Sequence, residues 1–193
     1  MSKLDELPKK YPELFQNSFY PKCKDELDFH FGCGEGWYGI LDALLANVRH
    51  HLIRYRDVVK IKADVLARGE TPLPWIAEYF EENPVDPLDS FTICQVKEKF
   101  GGLRFYWDCD VRNKATYAID GAEGLAESMS YRTCEICGCP GKSGSHGGWW
   151  VKTLCPDHEM KAMDSARKRK EAREQALRHP KAPSMEDTNE TTD

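Results

Sequence analysis

The spacing of apolar positions changes along the chain, and each change marks an element. Over residues 37–68, Leu41, Leu45, Val48, Leu52, Tyr55, Val59 and Leu66 recur at alternating intervals of four and three, with Lys62 in the one odd place. That rhythm predicts one long amphipathic helix, stopped at Gly69. Its apolar stripe is read as a core-facing side, with a self-association seam as the competing reading. Residues 1–12 are polar and expected to be loose until Leu14 and Phe15 dock. Residues 16–36 read as irregular and end in Gly32-Cys33-Gly34-Glu35-Gly36, a shaped turn. Pro72 and Pro74 introduce a short second helix over 75–82, closed by Asn83-Pro84.

The period then shifts from helical to two. Residues 91–99 and 103–109 flank Phe100-Gly101-Gly102 and predict a β-hairpin. Thr92, Cys94 and Val96 alternate with Ile93, Gln95, Lys97 and Lys99; Leu103, Phe105 and Trp107 alternate with Arg104, Tyr106 and Asp108. One apolar face should cover the long helix. The helical rhythm returns over 111–129, with Asp110 as the expected cap and Ala115, Ala118, Ile119, Ala122, Leu125 and Met129 on one side. Gly121 and Gly124 either weaken this helix or let it pack closely on a neighbour. The fold class that follows is α+β: a long helix and shorter helices packed on a β-hairpin, then a C-terminal zinc module. The boundaries fall at 1–130 for the helical and hairpin domain, 131–178 for the zinc module with its basic helix, and 179–193 for an acidic tail expected to be disordered.

The chemistry sits near the C-terminus. Cys134-x2-Cys137 and Cys155-x2-His158 form two short-spaced pairs with seventeen residues between them. Such pairs enclose one tetrahedral zinc ion. Gly138 follows the second ligand, residues 149–154 read as a strand, and Pro156 suits the first turn of a charged helix. Knuckle, hairpin and ligand-bearing helix together resemble the treble-clef zinc finger. Cys139 and His146 are the alternative ligands, disfavoured because the two symmetric spacings already supply four. A full set of four protein ligands makes the zinc structural rather than catalytic. A metal-dependent nuclease of the HNH type is the weaker reading. Only His146 is available on the hairpin side, and the helix after His158 offers no second ligand until His179. Cys23-x6-His30-x2-Cys33 supplies three further donors, read as buried thiols and a packed histidine rather than a second metal site.

Composition narrows the partners. The chain has 193 residues, 40% of them apolar and 31% charged, with a net charge of −5. A globular protein follows, with no bulk attraction to nucleic acid. Local basic sites remain: Lys97, Lys99 and Arg104 beside Tyr106 on the polar face of the hairpin, and Arg167-Lys168-Arg169-Lys170 on the last helix. Against these stand a half-exposed sheet face and a helix braced by internal charge pairs. Residues 70–90 carry six acids and no base, a solvated surface or a face for a basic partner. No apolar run approaches a membrane span and the first residues lack a signal-peptide core, so a cytoplasmic protein with reduced thiols is expected.

Three segments carry a resemblance. They are Cys33-Gly34-Glu35-Gly36-Trp37; the run from Gln95 to Tyr106 through Lys-Glu-Lys-Phe-Gly-Gly-Leu-Arg-Phe; and Cys134-x2-Cys137-Gly138 with Trp150-x3-Leu154-Cys155. Together they are similar to an uncharacterised family of small bacteriophage and prophage proteins. The usual pattern has one small or hydroxyl residue where Gly102 stands, which implies a looser turn here. Cys139 and the long basic helix are additions to the pattern. The resemblance implies a phage setting, with host cytoplasm as the location, and brings no chemistry. The expected function is a non-enzymatic zinc-binding accessory protein that binds a host protein, blocking or redirecting a defence or replication machine. A nucleic-acid-binding regulator is the alternative.

Overall fold

The computed structural model describes residues 2–16, 31–77 and 86–178. Within them the chain is α+β. Five helices precede the first sheet among these residues: α1 (Leu7–Lys10), α2 (Pro12–Phe15), α3 (Tyr38–Ala67), α4 (Pro74–Ala77) and α5 (Pro87–Ser90). Strands β1 (Thr92–Lys99) and β2 (Gly102–Asp108) pair antiparallel, α6 (Lys114–Ser130) follows, and a second hairpin, β3 (Lys142–Gly144) with β4 (Lys152–Leu154), leads into α7 (Pro156–Arg178). No helix among the described residues is long and apolar enough to cross a membrane.

Helix α3 is the spine, entered through a 3-10 turn at Glu35–Trp37. Ile40, Leu41, Leu44, Leu45, Val48, Leu52, Tyr55 and Val58 are buried along it. The stripe does not stay buried to the end, and Val58 is its last buried residue. Ile61 and Leu66 are exposed, and Val58 rather than Val59 closes the core. The end itself is a Schellman cap: Gly69 at φ 74°, its N–H donating to Leu66, and the Glu70 N–H to Val65.

The N-terminal residues are ordered well before Leu14, contrary to the sequence expectation. Ser2 and Asp5 form a reciprocal capping box over the turn Lys3–Glu6, and Leu4, Leu7 and Tyr11 are buried with Leu14. Tyr11 Oη and Lys10 Nζ both donate to Asp42 of α3 at 2.7 Å. The bond from Lys10 and that from Tyr11 hold the Asp42 carboxyl below its ordinary value.

The hairpin turns on two residues, Phe100 at φ 54° and Gly101 at φ 79°, the left-handed pair that suits strand twist. Gly102 is therefore not part of the turn and loosens nothing. It pairs with Lys99 inside β2, where a Cβ would lie 2.4 Å from the Tyr131 ring. A register shift between Ile93 and Gln95 leaves Cys94 without a partner. This bulge switches the alternation, so Ile93 and Val96 both face the core with Leu103 and Phe105. The polar face keeps its expected members, Gln95, Lys97, Lys99, Arg104 and Tyr106.

Helix α6 runs along the β2 edge, where Ser130 Oγ accepts the Leu103 N–H at 2.8 Å. Its cap is Asn113 and not Asp110. Asn113 Oδ1 accepts from Ala115 and Thr116, and Thr116 Oγ1 accepts the Asn113 N–H in return. The helix is rotated from the expected face: Ala115, Thr116, Ile119, Ala126 and Ser130 are buried, while Leu125 and Met129 are exposed. Gly121 and Gly124 face open space rather than a close neighbour. Because both Asn113 and its partner are buried, Asn113→Ala should lower stability by about 1–2 kcal/mol in urea unfolding. An unchanged midpoint would mean that Asp110 takes over as cap.

The short helix α5, capped by Asp86 through Leu88 N–H, has no counterpart in the sequence reading. Of the expected helix over 75–82, Pro74–Ala77 is seen; residues 78–85, with Glu78, Glu81 and Glu82, lie outside the described residues, as do 179–193.

Candidate metal centre

The turn after α6 builds the first half of the cluster. The Gly138 N–H donates to the Cys134 carbonyl at 2.9 Å and Gly138 sits at φ 78°, folding Cys134 and Cys137 toward one point. The second half comes from β4 and α7. Leu154 ends β4, Cys155 precedes Pro156, and the Cys155 carbonyl accepts the Glu159 N–H, so His158 stands on the first helical turn. The knuckle, the β3–β4 hairpin and the ligand-bearing helix thus follow the treble-clef order. Of the strand expected over 149–154, residues 149–151 are not strand, and β4 pairs with β3 in the segment before it.

The four donor atoms of Cys134, Cys137, Cys155 and His158 lie within 4.8 Å of one another. Cys134 Sγ is 3.6 Å and Cys155 Sγ 3.2 Å from His158 Nδ1, and Cys137 Sγ is 3.7 Å from Cys155 Sγ. Tetrahedral zinc with ordinary bond lengths requires S···S of about 3.8 Å and S···N of about 3.5 Å. The arrangement is therefore a candidate Cys3His site for one metal ion. Among the described residues, no other group of three or more such donors converges.

The three thiols differ in their surroundings. Burial pushes Cys134 up, but backbone amides of Cys155, Cys137 and Ile136 outweigh it and bring its pKa down to about 6. Backbone amides of Cys139 and His158 favour the thiolates of Cys137 and Cys155, yet burial and the crowding of the sulfurs hold both above the ordinary value. Three thiolates at this spacing need a cation to coexist.

The alternative donors are not part of this group. Cys139 lies outside the converging group, and its carbonyl accepts the Cys134 N–H at 2.7 Å. His146 Nδ1 is 3.0 Å from Glu159 Oε1 and its Nε2 2.9 Å from the Lys152 carbonyl, so both ring nitrogens bind protein. Cys33 lies half-buried between Glu135 and Glu98, and burial with those carboxylates pushes its pKa to about 12. Cys23 and His30 lie outside the described residues.

Around the cluster the segments quoted for the resemblance meet. The Gly36 N–H donates to the Glu135 carbonyl at 2.8 Å, the Gly34 N–H to Glu135 Oε1 at 3.1 Å, and Trp37 Nε1 to the Thr133 carbonyl at 2.8 Å. A Cβ on Gly36 would lie 2.2 Å from the Cys134 carbonyl oxygen, so this turn packs directly on the knuckle backbone. Buried Glu135 also takes a 3.1 Å ion pair from Lys152 of β4. The first hairpin's tip joins them: the Gly101 carbonyl accepts from buried Thr153 Oγ1 at 2.6 Å. Sequence reading passed over Glu135, although a carboxylate inside a C-x2-C turn is a visible signal for a second set of bonds.

The basic residues divide. On the hairpin face, Arg104 is 2.6 Å from Glu127 and donates to Tyr131 Oη at 2.9 Å, Lys97 Nζ lies 5.3 Å from the Tyr106 ring centre, and Lys99 Nζ 5.4 Å from that of Phe100. On α7, Arg167 and Lys168 both pair with Asp164, while Arg169 and Lys170 have no ion pair among the described residues. Family models, curated proteins and solved structures give no match to this chain.

Proposed function

We propose that this chain is a non-enzymatic binding protein organised by one structural zinc ion, working in a bacteriophage or prophage setting. The observation that carries the reading is the convergence of four donors, from Cys134, Cys137, Cys155 and His158, within 4.8 Å of one another. Four protein donors leave no position for water or substrate. The surroundings support it too, because the knuckle is tied to the turn at residues 33–37 and, through Thr153 of β4, to the hairpin tip, which makes the metal a fastener of scaffold. The phage setting rests on the resemblance alone, and it makes a host protein the first expected partner. A nucleic-acid partner is the second reading. One observation favours it: an exposed pair of tryptophans beside unpaired bases on α7.

Cobalt substitution tests the core of the proposal. The cobalt protein should show the intense visible bands of tetrahedral thiolate ligation at one equivalent, and added azide or cyanide should leave them unchanged. A spectrum that shifts with added anion would reveal an open position and end the structural reading. Binding of the metal releases thiol protons, so the bands should fade as pH falls.

A further inference from the structure

The loop between β3 and β4 holds two tryptophans where no core uses them. Trp149 is 101% exposed and Trp150 79%. The loop that carries them is built rather than slack. His146 at φ 45° is fixed between Glu159 and the Lys152 carbonyl, Gly147 at φ 77° faces Met163 and Ala166 of α7, and the Gly148 N–H donates to the Ser145 carbonyl. Between loop and helix runs a groove of ≈ 880 Å³, whose lining includes Trp149, Trp150, Arg167, Arg169, Lys170 and Arg173 and no carboxylate.

Charge separates the bases of α7 into two sets. Arg167 is 2.6 Å and Lys168 2.8 Å from Asp164, and Glu171 also faces Arg167. Arg169, Lys170 and Arg173 have no ion pair among the described residues. Arg169 and Arg173 stand about one turn apart on the same side. The groove thus joins two flat π surfaces to three unneutralised cations.

We infer that this groove binds single-stranded nucleic acid, with bases stacking on Trp149 and Trp150 and phosphates held by Arg169, Lys170 and Arg173. Every unpaired base offers a π face to an indole, and every nucleotide brings a charge for the cations. An acidic peptide would use the cations and leave the indoles in water. A duplex keeps its bases stacked on each other and offers the rings nothing. With a net charge of −5 on the whole chain, such a contact has to come from a local cluster of cations such as this one. The inference rests on the binding-protein reading only in that the metal fixes β4 and the start of α7.

Fluorescence anisotropy with the zinc-loaded full chain and a labelled thymidine oligonucleotide of about 20 nucleotides tests it. Trp149→Ala with Trp150→Ala should weaken binding about tenfold or more. Arg169→Glu, Lys170→Glu and Arg173→Glu together should abolish it, while Lys168→Glu, on the same helix but outside the groove lining, should cost far less. Three phosphates on a single strand give a log–log salt slope of about −2. These changes are on exposed positions, and zinc content read in parallel shows whether the scaffold is intact. Loss of zinc in the unsubstituted protein would refute the previous reading and not this one. The inference is overturned by any of three results: no binding at about 100 µM protein, equal binding of a duplex with the tryptophan variant unaffected, or preference for a polyglutamate peptide.

Discussion

Cys134→Ser is expected to lose the metal and, with it, the attachment of residues 33–37 as well as the fold of the knuckle. Structural zinc contributes on the order of 10 kcal/mol to folding small modules, against a total stability of about 5–15 kcal/mol for an ordinary domain. The Cys134 and Glu135 carbonyls lie against Gly36, and the Thr133 carbonyl holds the Trp37 indole. When the knuckle opens, these acceptors move and α3 loses its entry turn. Thermal unfolding should fall by at least about 10 °C, taking about 2–4 °C per kcal/mol. A chelator should do the same to the unsubstituted protein. Hydrogen exchange should show the Gly34 and Gly36 amides losing protection along with those of 134–138. A chelator-treated protein with its melting point and these amides unchanged would show that no metal holds the site together.

Trp37→Ala should be the most damaging change away from the ligands. The side chain is fully buried in the main core and its N–H serves the Thr133 carbonyl. Truncation of a buried tryptophan costs about 3–5 kcal/mol, and the abandoned carbonyl adds to it. Trp37→Phe separates the contributions, since it refills most of the space and restores no donor; its cost should be about 1–3 kcal/mol. Urea unfolding would measure both. If Phe destabilised as much as Ala, the hydrogen bond and not the packing would be the dominant contribution.

The parts of the fold legible in the sequence are those set by local periodicity and spacing. Helix α3, the first hairpin, and the pairing of Cys134 and Cys137 with Cys155 and His158 all belong here. Misread features depend on what lies across the fold. The bulge at Cys94 is a matter of how β1 is registered on β2, and nothing in an alternating apolar pattern announces it. Asp110 and Asn113 are both good caps, and Thr116 decides between them by returning a hydrogen bond. Leu125 and Met129 fit the helical stripe of α6, but α3 and β2 meet the helix on another side. The glycines at 34 and 36 read as turn formers. Their further role is to let one backbone lie against another from a part of the chain about a hundred residues away.

That separation has a consequence in time. The Gly34 amide meets Glu135 across 101 positions of chain. At a synthesis rate of about 5–20 residues per second, the turn at 33–37 waits roughly 5–20 s after leaving the ribosome before its partner exists. Trp37 and the first turns of α3 are exposed during that interval. The nascent chain is therefore most open to chaperones and proteases before residues 134–158 emerge, and a metal ion bound there would be the step that closes the window.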